Sequence, residues 1–209
     1  MKGKRCVVLA GLIAVALAAS PLQTLAYAVS PNDNVLNGGV GRNGYQKRYY
    51  YIDSSCSSTM KTDIDQAWYD WTYTTDSPGV TTPISIKPTT VQKDSSFDFY
   101  YTSVYPEWEG VYGVTLFWRY QEMVAPFGYM PDTNWGWTQI MLNSPNFTTL
   151  SRSTGGLNRQ KGVIAHECGH AMGLWHVNNS NVLMYPYGNT VRVDKCTADE
   201  LNGINHLYS

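Results

Sequence analysis

Three of the four histidines in this 209-residue chain fall within the short stretch from His166 to His176. His166 and His170 stand four positions apart, so on a helix both imidazoles leave the same face, one turn apart. Two neutral imidazole nitrogens in that arrangement can bind one Zn²⁺ ion. His176 could not face the same ion from an unbroken helix, but Gly173 can adopt a positive φ and let the chain turn back. The spacing therefore predicts a helix that ends near Gly173 and three histidine ligands around one metal.

Two further residues of this stretch would point in different directions from a helix. Glu167 directly follows the first histidine, where its carboxylate can reach a water molecule on the metal rather than the metal itself. Cys168 lies two positions from both His166 and His170, about 200° around the helix, so we exclude it as a ligand. A lone helical histidine is usually a surface or core residue, but three histidines, a glutamate and a glycine at these spacings favour a metal site.

The N-terminal segment has the pattern of an export signal. Basic residues at positions 2, 4 and 5 precede an almost wholly apolar run over 6–19, and Ala26-Tyr27-Ala28 has the small residues of a cleavage site. We expect residues 1–28 to be a secretory signal peptide cleaved after Ala28; the alternative is a buried N-terminal helix. The run is shorter than the roughly 20 residues of a membrane span. The sequence therefore predicts a secreted, extracellular protein with no membrane span.

Composition excludes two classes of protein. The chain has 15 Lys and Arg against 16 Asp and Glu, a formal net charge of -1, so it lacks the basic surplus of a nucleic-acid binder. Charged residues are only 15% of the chain, whereas it has 16 Tyr and 7 Trp, which is too aromatic for a disordered protein. We therefore expect a folded domain.

The pattern of apolar segments predicts one α+β domain over 47–209, after an irregular N-terminal arm over 29–46 that is rich in Asn and Gly. Helices are predicted over 59–73 and 157–172, and a short terminal helix follows the capping box Thr197-Ala198-Asp199-Glu200. Strands are predicted over 47–52, 83–87, 97–102, 113–119 and 137–142.

The string HECGHAMGLWH over 166–176 matches the pattern HExxHxxGxxH at every fixed position, and the chain resembles the metzincin zinc endopeptidases, within them the matrixin-like branch. Met184, in the segment VLMYPY, resembles the Met-turn beneath the metal, and the ending over 198–208 is similar to the terminal helix of matrixin catalytic domains. The resemblance implies a metzincin-type zincin fold with a five-stranded twisted mixed sheet, an active-site helix, a Met-turn and a C-terminal helix. Residues 47–172 would form the upper part and 173–209 the lower part.

The same resemblance implies a zinc metalloendopeptidase that hydrolyses peptide bonds of extended protein substrates. His166, His170 and His176 would hold one catalytic zinc, and Glu167 would be the general base toward a zinc-activated water. The strand over 113–119 would line the cleft and pair with the substrate as an added strand does. Gly173 and Met184 would support the site. We expect a monomer whose partners are protein or peptide substrates.

The resemblance also implies roles for two tyrosines and two cysteines, and for each of these more than one role remains open. Tyr185 or Tyr187 would donate a hydrogen bond to the oxyanion, or else form a pocket wall, and the segment 187–195 would border that pocket. Cys196 precedes the terminal helix, which makes Cys168–Cys196 a candidate disulfide, although connectivity is not readable from a sequence.

Metals beyond the catalytic zinc are a separate question. Structural calcium is common in the family, and Asp132-Thr133-Asn134 offers oxygen ligands, although such a run is more often a turn. Only His206 remains outside the motif, so we expect no second zinc. Residues 29–46 contain no cysteine that could cap the zinc and keep the enzyme latent.

Two other functions compete with the peptidase. The first is an inactive module of the same fold that binds zinc or substrate, but a binding domain would not need Glu167. The second is a carbohydrate-binding protein, because rows of Trp and Tyr bind sugars, although they also fill protein cores. Hydrolysis of a protein that stops when zinc is chelated would separate the peptidase from both.

Overall fold

The computed structural model describes residues 27–41, 48–75, 78–103, 110–126, 128–153 and 156–209. Most of the predicted signal peptide lies outside the described residues, as does Lys47 at the start of the first predicted strand. None of the helices in these ranges combines the length and the apolarity that crossing a bilayer requires.

The described residues form eight strands and four α-helices, and five of the strands lie between the first and the second α-helix. The strands are β1 (Ala28–Val29), β2 (Arg48–Ile52), β3 (Ile86–Thr89), β4 (Phe97–Thr102), β5 (Gly113–Arg119), β6 (Glu122–Met123), β7 (Trp137–Asn143) and β8 (Leu174–Trp175). The α-helices are α1 (Ser58–Thr72), α2 (Ser144–Phe147), α3 (Arg159–Ala171) and α4 (Ala198–Tyr208). Two short 3-10 helices, Pro31–Asp33 and Gln92–Asp94, complete the set.

The main sheet is mixed and has the strand order β3-β2-β4-β7-β5-β6. β2, β3, β4 and β7 run parallel, whereas β5 is antiparallel to β7 and β6 is antiparallel to β5. The α+β class is confirmed. The sheet has six strands rather than the five predicted, because a tight hairpin after β5 adds the two-residue strand β6.

The prediction for the third strand is shifted along the chain. The sequence places it over 83–87, whereas it runs from Ile86 to Thr89 on the outer edge of the sheet, beside β2. Pro83 has no N–H for a ladder, which removes the predicted start; Pro88 is tolerated because an edge strand leaves one side unpaired.

Helix α1 packs an apolar face on the sheet and joins it to α3. The Ser57 side chain caps the helix by accepting a hydrogen bond from the backbone N–H of Met60. The Trp68 and Phe97 ring centroids lie 4.9 Å apart, and the Trp71 indole N–H donates to the carbonyl oxygen of Ala165 at 3.0 Å. Helix α1 is thereby fixed to both the sheet and the helix that carries the histidines. The side chains on its buried apolar face are those of Met60, Ile64, Ala67, Trp68 and Trp71.

The described residues of the N-terminal arm pack into the domain. Leu36 and Val40 are fully buried in the core. The Asn37 N–H donates to the Trp135 carbonyl oxygen at 2.7 Å, and the Ser85 N–H donates to the Val40 carbonyl oxygen at 2.9 Å. Asn and Gly content indicates irregular backbone but does not reveal that two apolar side chains of the arm are core residues.

Candidate metal centre and substrate cleft

Helix α3 carries the first two histidines and ends where the motif requires it. Its first turn is capped by the side chain of Asn158, which accepts a hydrogen bond from the Lys161 N–H. The helix ends at Ala171, and Gly173 has a φ of 101°, which L side chains rarely adopt. A Cβ at Gly173 would also lie 2.9 Å from the Leu207 side chain, so this glycine serves both the turn and a close approach.

The turn at Gly173 leads into β8, which brings His176 back to the helix. β8 pairs antiparallel with β1, so that Ala28 faces Trp175 and Val29 faces Leu174. The Ser30 N–H donates to the Gly173 carbonyl oxygen at 2.8 Å. The N-terminal arm therefore supports the segment that carries the third histidine. Sequence analysis missed this support because two residues form too short a strand to be recognised.

The three histidines converge, and their ligand atoms all lie within 4.8 Å of one another. The Nδ1 atoms of His166 and His170 lie 2.8 Å from the carbonyl oxygens of Leu183 and Leu174, so Nε2 of each ring is left for a metal. Nε2 of His170 lies 3.1 Å from Nε2 of His176. Nitrogens bound to a tetrahedral zinc at about 2.0–2.1 Å would be about 3.3 Å apart, so the donor set fits this metal.

Burial keeps the imidazoles in the form that binds metals. Burial and, to a smaller extent, the neighbouring histidines lower the pKa of His166 to about 4 and that of His170 well below its usual value. Burial also lowers the pKa of His176. A metal ligand must be a neutral imidazole, and these environments disfavour the protonated ring.

Glu167 points its carboxylate into the cleft beside the histidines and is not among the side chains that cluster as metal ligands in the described residues. The residue is 5% exposed, and burial raises its pKa to about 7. The Thr115 hydroxyl donates to Oε2 at 2.8 Å, which lowers the pKa in part. The structure thus places a carboxylate that titrates near neutral pH next to the candidate metal site.

Met184 is buried beside the helix that carries His166 and His170. A Cβ at Gly169 would lie 2.5 Å from its sulfur, so the absence of a side chain at Gly169 makes room for Met184. The Met184 N–H donates to Oε1 of Glu200 at 3.1 Å, and the Val177 N–H donates to the Met184 carbonyl oxygen at 2.9 Å. Glu200, predicted only as part of a capping box, also holds the turn under the metal site.

A cleft of about 220 Å³ runs past the three histidines between β5 and the segment after Met184. Tyr185 lines this cleft. Tyr187 is 61% exposed, lies outside the lining and packs its ring edge-on against Tyr185. The structure therefore supports a pocket position for Tyr185 alone.

The cleft edge of β5 is shorter than the 113–119 predicted. Trp118 and Arg119 pair with β6, and the Val124 N–H donates to the Phe117 carbonyl oxygen at 2.9 Å. The hairpin that adds the sixth strand thus covers the end of β5. Within the described residues, none pairs with 113–116 on the edge that faces the cleft.

The candidate disulfide is not formed, which corrects the sequence analysis. Cys56, Cys168 and Cys196 are all buried free thiols. Cys168 lies outside the metal cluster, and the Cys196 thiol donates to the Asp70 carbonyl oxygen at 3.2 Å. Burial raises the pKa of both Cys168 and Cys196, which keeps them as thiols.

Three of the remaining candidates for metal binding, His206, Thr133 and Asn134, have protein partners. His206 pairs with Asp33 at 3.3 Å and lies outside the histidine cluster. Oδ1 of Asn134 accepts the Val35 N–H at 2.8 Å, and the Arg119 guanidinium donates to the Thr133 hydroxyl at 3.3 Å. Asn134 thus contacts the N-terminal arm, and Thr133 contacts the end of β5.

Comparison with known proteins identifies relatives of this site. The family model for the M10 peptidases, described as matrixin, matches residues 50–209. Stromelysin-1 of Equus caballus is 43% identical over 49 residues, which cover 22% of this chain and 10% of that protein. The chain thus matches only a small part of the length of this relative.

Proposed function

Because this chain belongs to the matrixin family of zinc metalloendopeptidases, we propose that it is a secreted enzyme that hydrolyses peptide bonds in extended protein substrates outside the cell. The observation that carries the proposal is the convergence of His166, His170 and His176 beside the buried carboxylate of Glu167. These histidines would hold one zinc ion.

The reaction divides between the metal and Glu167. Zinc, when bound, supplies a Lewis acid that activates water and polarises the scissile carbonyl group. The Glu167 carboxylate accepts a proton from the attacking water as the new carbon–oxygen bond forms. It then donates that proton to the amine nitrogen as the carbon–nitrogen bond breaks. Burial raises the pKa of this carboxyl toward neutral pH, and a group that titrates near the working pH can accept and return a proton.

The open edge of β5 offers the substrate its backbone groups. An extended peptide would pair with residues 113–116 as an added strand, which positions the scissile bond over the histidines. Tyr185, on the opposite wall, would contact the substrate or donate to the developing oxyanion. A non-catalytic module would gain nothing from a carboxylate whose ionisation burial disfavours, so Glu167 favours an enzyme.

Export would remove residues 1–28. Cleavage after Ala28 would leave Val29 as the first residue, and Val29 faces Leu174 in the two-stranded pairing beside the third histidine. N-terminal sequencing of the protein recovered from the culture medium tests this boundary.

Casein hydrolysis by the secreted protein, with zinc quantified in the same sample, tests the proposed activity. We expect a zinc chelator to abolish hydrolysis and added zinc to restore it. Glu167→Ala, expressed in the same way, should retain one zinc per chain and lose turnover. Casein cleavage by Glu167→Ala at the wild-type rate would refute the assignment.

A further inference from the structure

We propose that Thr115 is a positioning residue whose hydroxyl holds the Glu167 carboxylate in the orientation that the reaction needs. The inference rests on the proposed function and extends it to a residue outside the zinc motif.

Thr115 lies on β5 with its side chain directed at α3, and it is buried. Its hydroxyl oxygen is 2.8 Å from Oε2 of Glu167 and 3.1 Å from the Glu167 backbone carbonyl oxygen. Within the described residues, this hydroxyl is the only protein group that donates a hydrogen bond to the carboxylate. The orientation of the base therefore depends on a single side chain.

One hydroxyl proton faces two acceptors on the same residue. A hydroxyl donates one hydrogen bond, and a carboxylate accepts a shorter and stronger one than an amide carbonyl does. The distances agree with this order, since the contact with Oε2 is the shorter. The side-chain contact is therefore the main one, and the backbone contact is secondary.

The other side of the carboxylate is confined by Gly113, two residues earlier on the same strand. A Cβ at Gly113 would lie 3.0 Å from Oε1 and 2.9 Å from Cγ of Glu167. The glutamate side chain thus fits between the bare backbone of Gly113 and the hydroxyl of Thr115. Both residues act on the same carboxylate, Gly113 by leaving space and Thr115 by donating.

These two residues also belong to the open edge of β5. The Phe117 carbonyl faces β6, whereas the carbonyls of Tyr112 and Trp118 accept hydrogen bonds from the β7 side. Because backbone direction alternates along a strand, the N–H and C=O groups of Gly113 and Thr115 face the cleft. Thr115 would therefore pair with the substrate through its backbone and orient the base through its side chain.

The competing explanation is that the hydroxyl only ties β5 to α3 through the Glu167 backbone carbonyl. Thr115→Val distinguishes the two, because valine keeps the β-branched shape and the backbone while losing the donor. Thr138→Val is the matched control, since Thr138 is a buried threonine on β7 whose hydroxyl donates to the Ser96 carbonyl oxygen. Thr115→Ser restores the hydroxyl.

We expect Thr115→Val to lower kcat about tenfold to a hundredfold, the effect of losing one hydrogen bond to a charged group, with KM close to wild type. Thr115→Ser should recover most of kcat, and Thr138→Val should leave kcat unchanged. Zinc affinity, measured by competition with a chelator, should be the same in all four proteins. An unchanged kcat in Thr115→Val, or an equal loss in Thr138→Val, would overturn the proposal.

A second readout does not depend on hydrolysis. In a crystal structure of Thr115→Val, the Glu167 carboxylate should leave its wild-type position or occupy several positions, whereas Thr138→Val should leave it in place. A carboxylate that stays in one wild-type position without the hydroxyl would refute the positioning role. This result is independent of whether the wild-type enzyme hydrolyses casein, so failure of the proposed function and failure of the Thr115 role can be distinguished.

Discussion

Two buried glutamates lie close to the metal site, and they differ in how completely their charge is satisfied. Glu167, in the cleft floor, is 5% exposed and accepts one side-chain hydrogen bond, from Thr115. Glu200, in the support beneath the site, is 1% exposed and accepts from the Met184 N–H, the Thr197 N–H and the Thr197 hydroxyl. The two buried glutamates therefore differ in their hydrogen bonds: Glu167 accepts one, and Glu200 accepts three.

The difference separates a reactive carboxylate from a structural one. A buried charge is costly unless hydrogen bonds compensate it, so the three donors around Glu200 turn that residue into a fixed link between α4 and the turn of Met184. Glu167 lacks this compensation, and burial raises its pKa to about 7. The protein thereby keeps a carboxylate that can still exchange a proton.

The largest effect on stability is expected when Glu200 is replaced. Glu200→Gln keeps the size of the side chain but places an amide NH₂ among donors, so one or more hydrogen bonds to Met184 or Thr197 are lost. We expect the free energy of unfolding of the zinc-free protein to fall by about 2–3 kcal/mol, measured by urea denaturation. The kcat of the folded, zinc-loaded variant should stay near wild type. If Glu200→Gln is as stable as wild type, the structural role assigned to Glu200 is wrong.

A smaller effect is expected when the space around Glu167 is reduced. In Gly113→Ala the new methyl group would lie 2.9 Å from Cγ of Glu167 and 3.1 Å from Cγ1 of Val163, so the glutamate must move. We expect kcat to fall roughly tenfold, because a small displacement of a reacting group costs rate. Gly136→Ala is the control, since its methyl group would meet only the Trp118 carbonyl oxygen at an ordinary 3.6 Å. Equal kcat values for the two variants would contradict a tightly confined base.

The smallest effect concerns Asp199, next to Glu200 in the first turn of α4. Burial, and then the neighbouring Glu200, raises the pKa of Asp199 from 3.8 to about 6, and Oδ2 is a buried atom without a hydrogen-bond partner. The folded state therefore favours the protonated acid, so the contribution of Asp199 to stability is fully present below about pH 4 and is lost as the pH rises through about 6.

Asp199→Asn removes this titration. Above pH 6 the variant should be more stable than wild type by about 1 kcal/mol, a value reduced for solvent screening because the side chain is partly exposed. The difference should shrink toward pH 4. Urea unfolding curves at pH 7.5 and pH 4 test this, and an equal difference at the two pH values would contradict the assigned pKa.

Sequence analysis succeeds where a local rule dictates the geometry. Helical spacing brings His166 and His170 together, a glycine with positive φ at position 173 returns the chain to the site, and the Thr197–Glu200 capping box forms as predicted. The α+β class and the resemblance to matrixins are likewise confirmed. The histidine spacing, the turn at Gly173 and the capping box each depend on residues that are close together in the chain.

Contacts between segments that are far apart in the chain could not be predicted from the sequence. Thr115 and Glu167 are 52 positions apart, and no pattern in the sequence connects them. The support of β8 by β1 and the cover that β6 gives to the end of β5 depend on pairings of two residues each, too short to produce a periodic signal. The cysteines fail for a different reason: a sequence does not show whether two cysteines pair, and Cys56, Cys168 and Cys196 are all buried free thiols.

The most direct test measures kcat and the free energy of unfolding for Glu167→Gln and Glu200→Gln under the same conditions. Glu167→Gln should lose about two to four orders of magnitude in kcat, retain one zinc and remain as stable as wild type or more so. Glu200→Gln should lose stability and retain kcat. If Glu167→Gln, with zinc bound, hydrolyses casein at the wild-type rate, the division between a reactive and a structural glutamate is wrong.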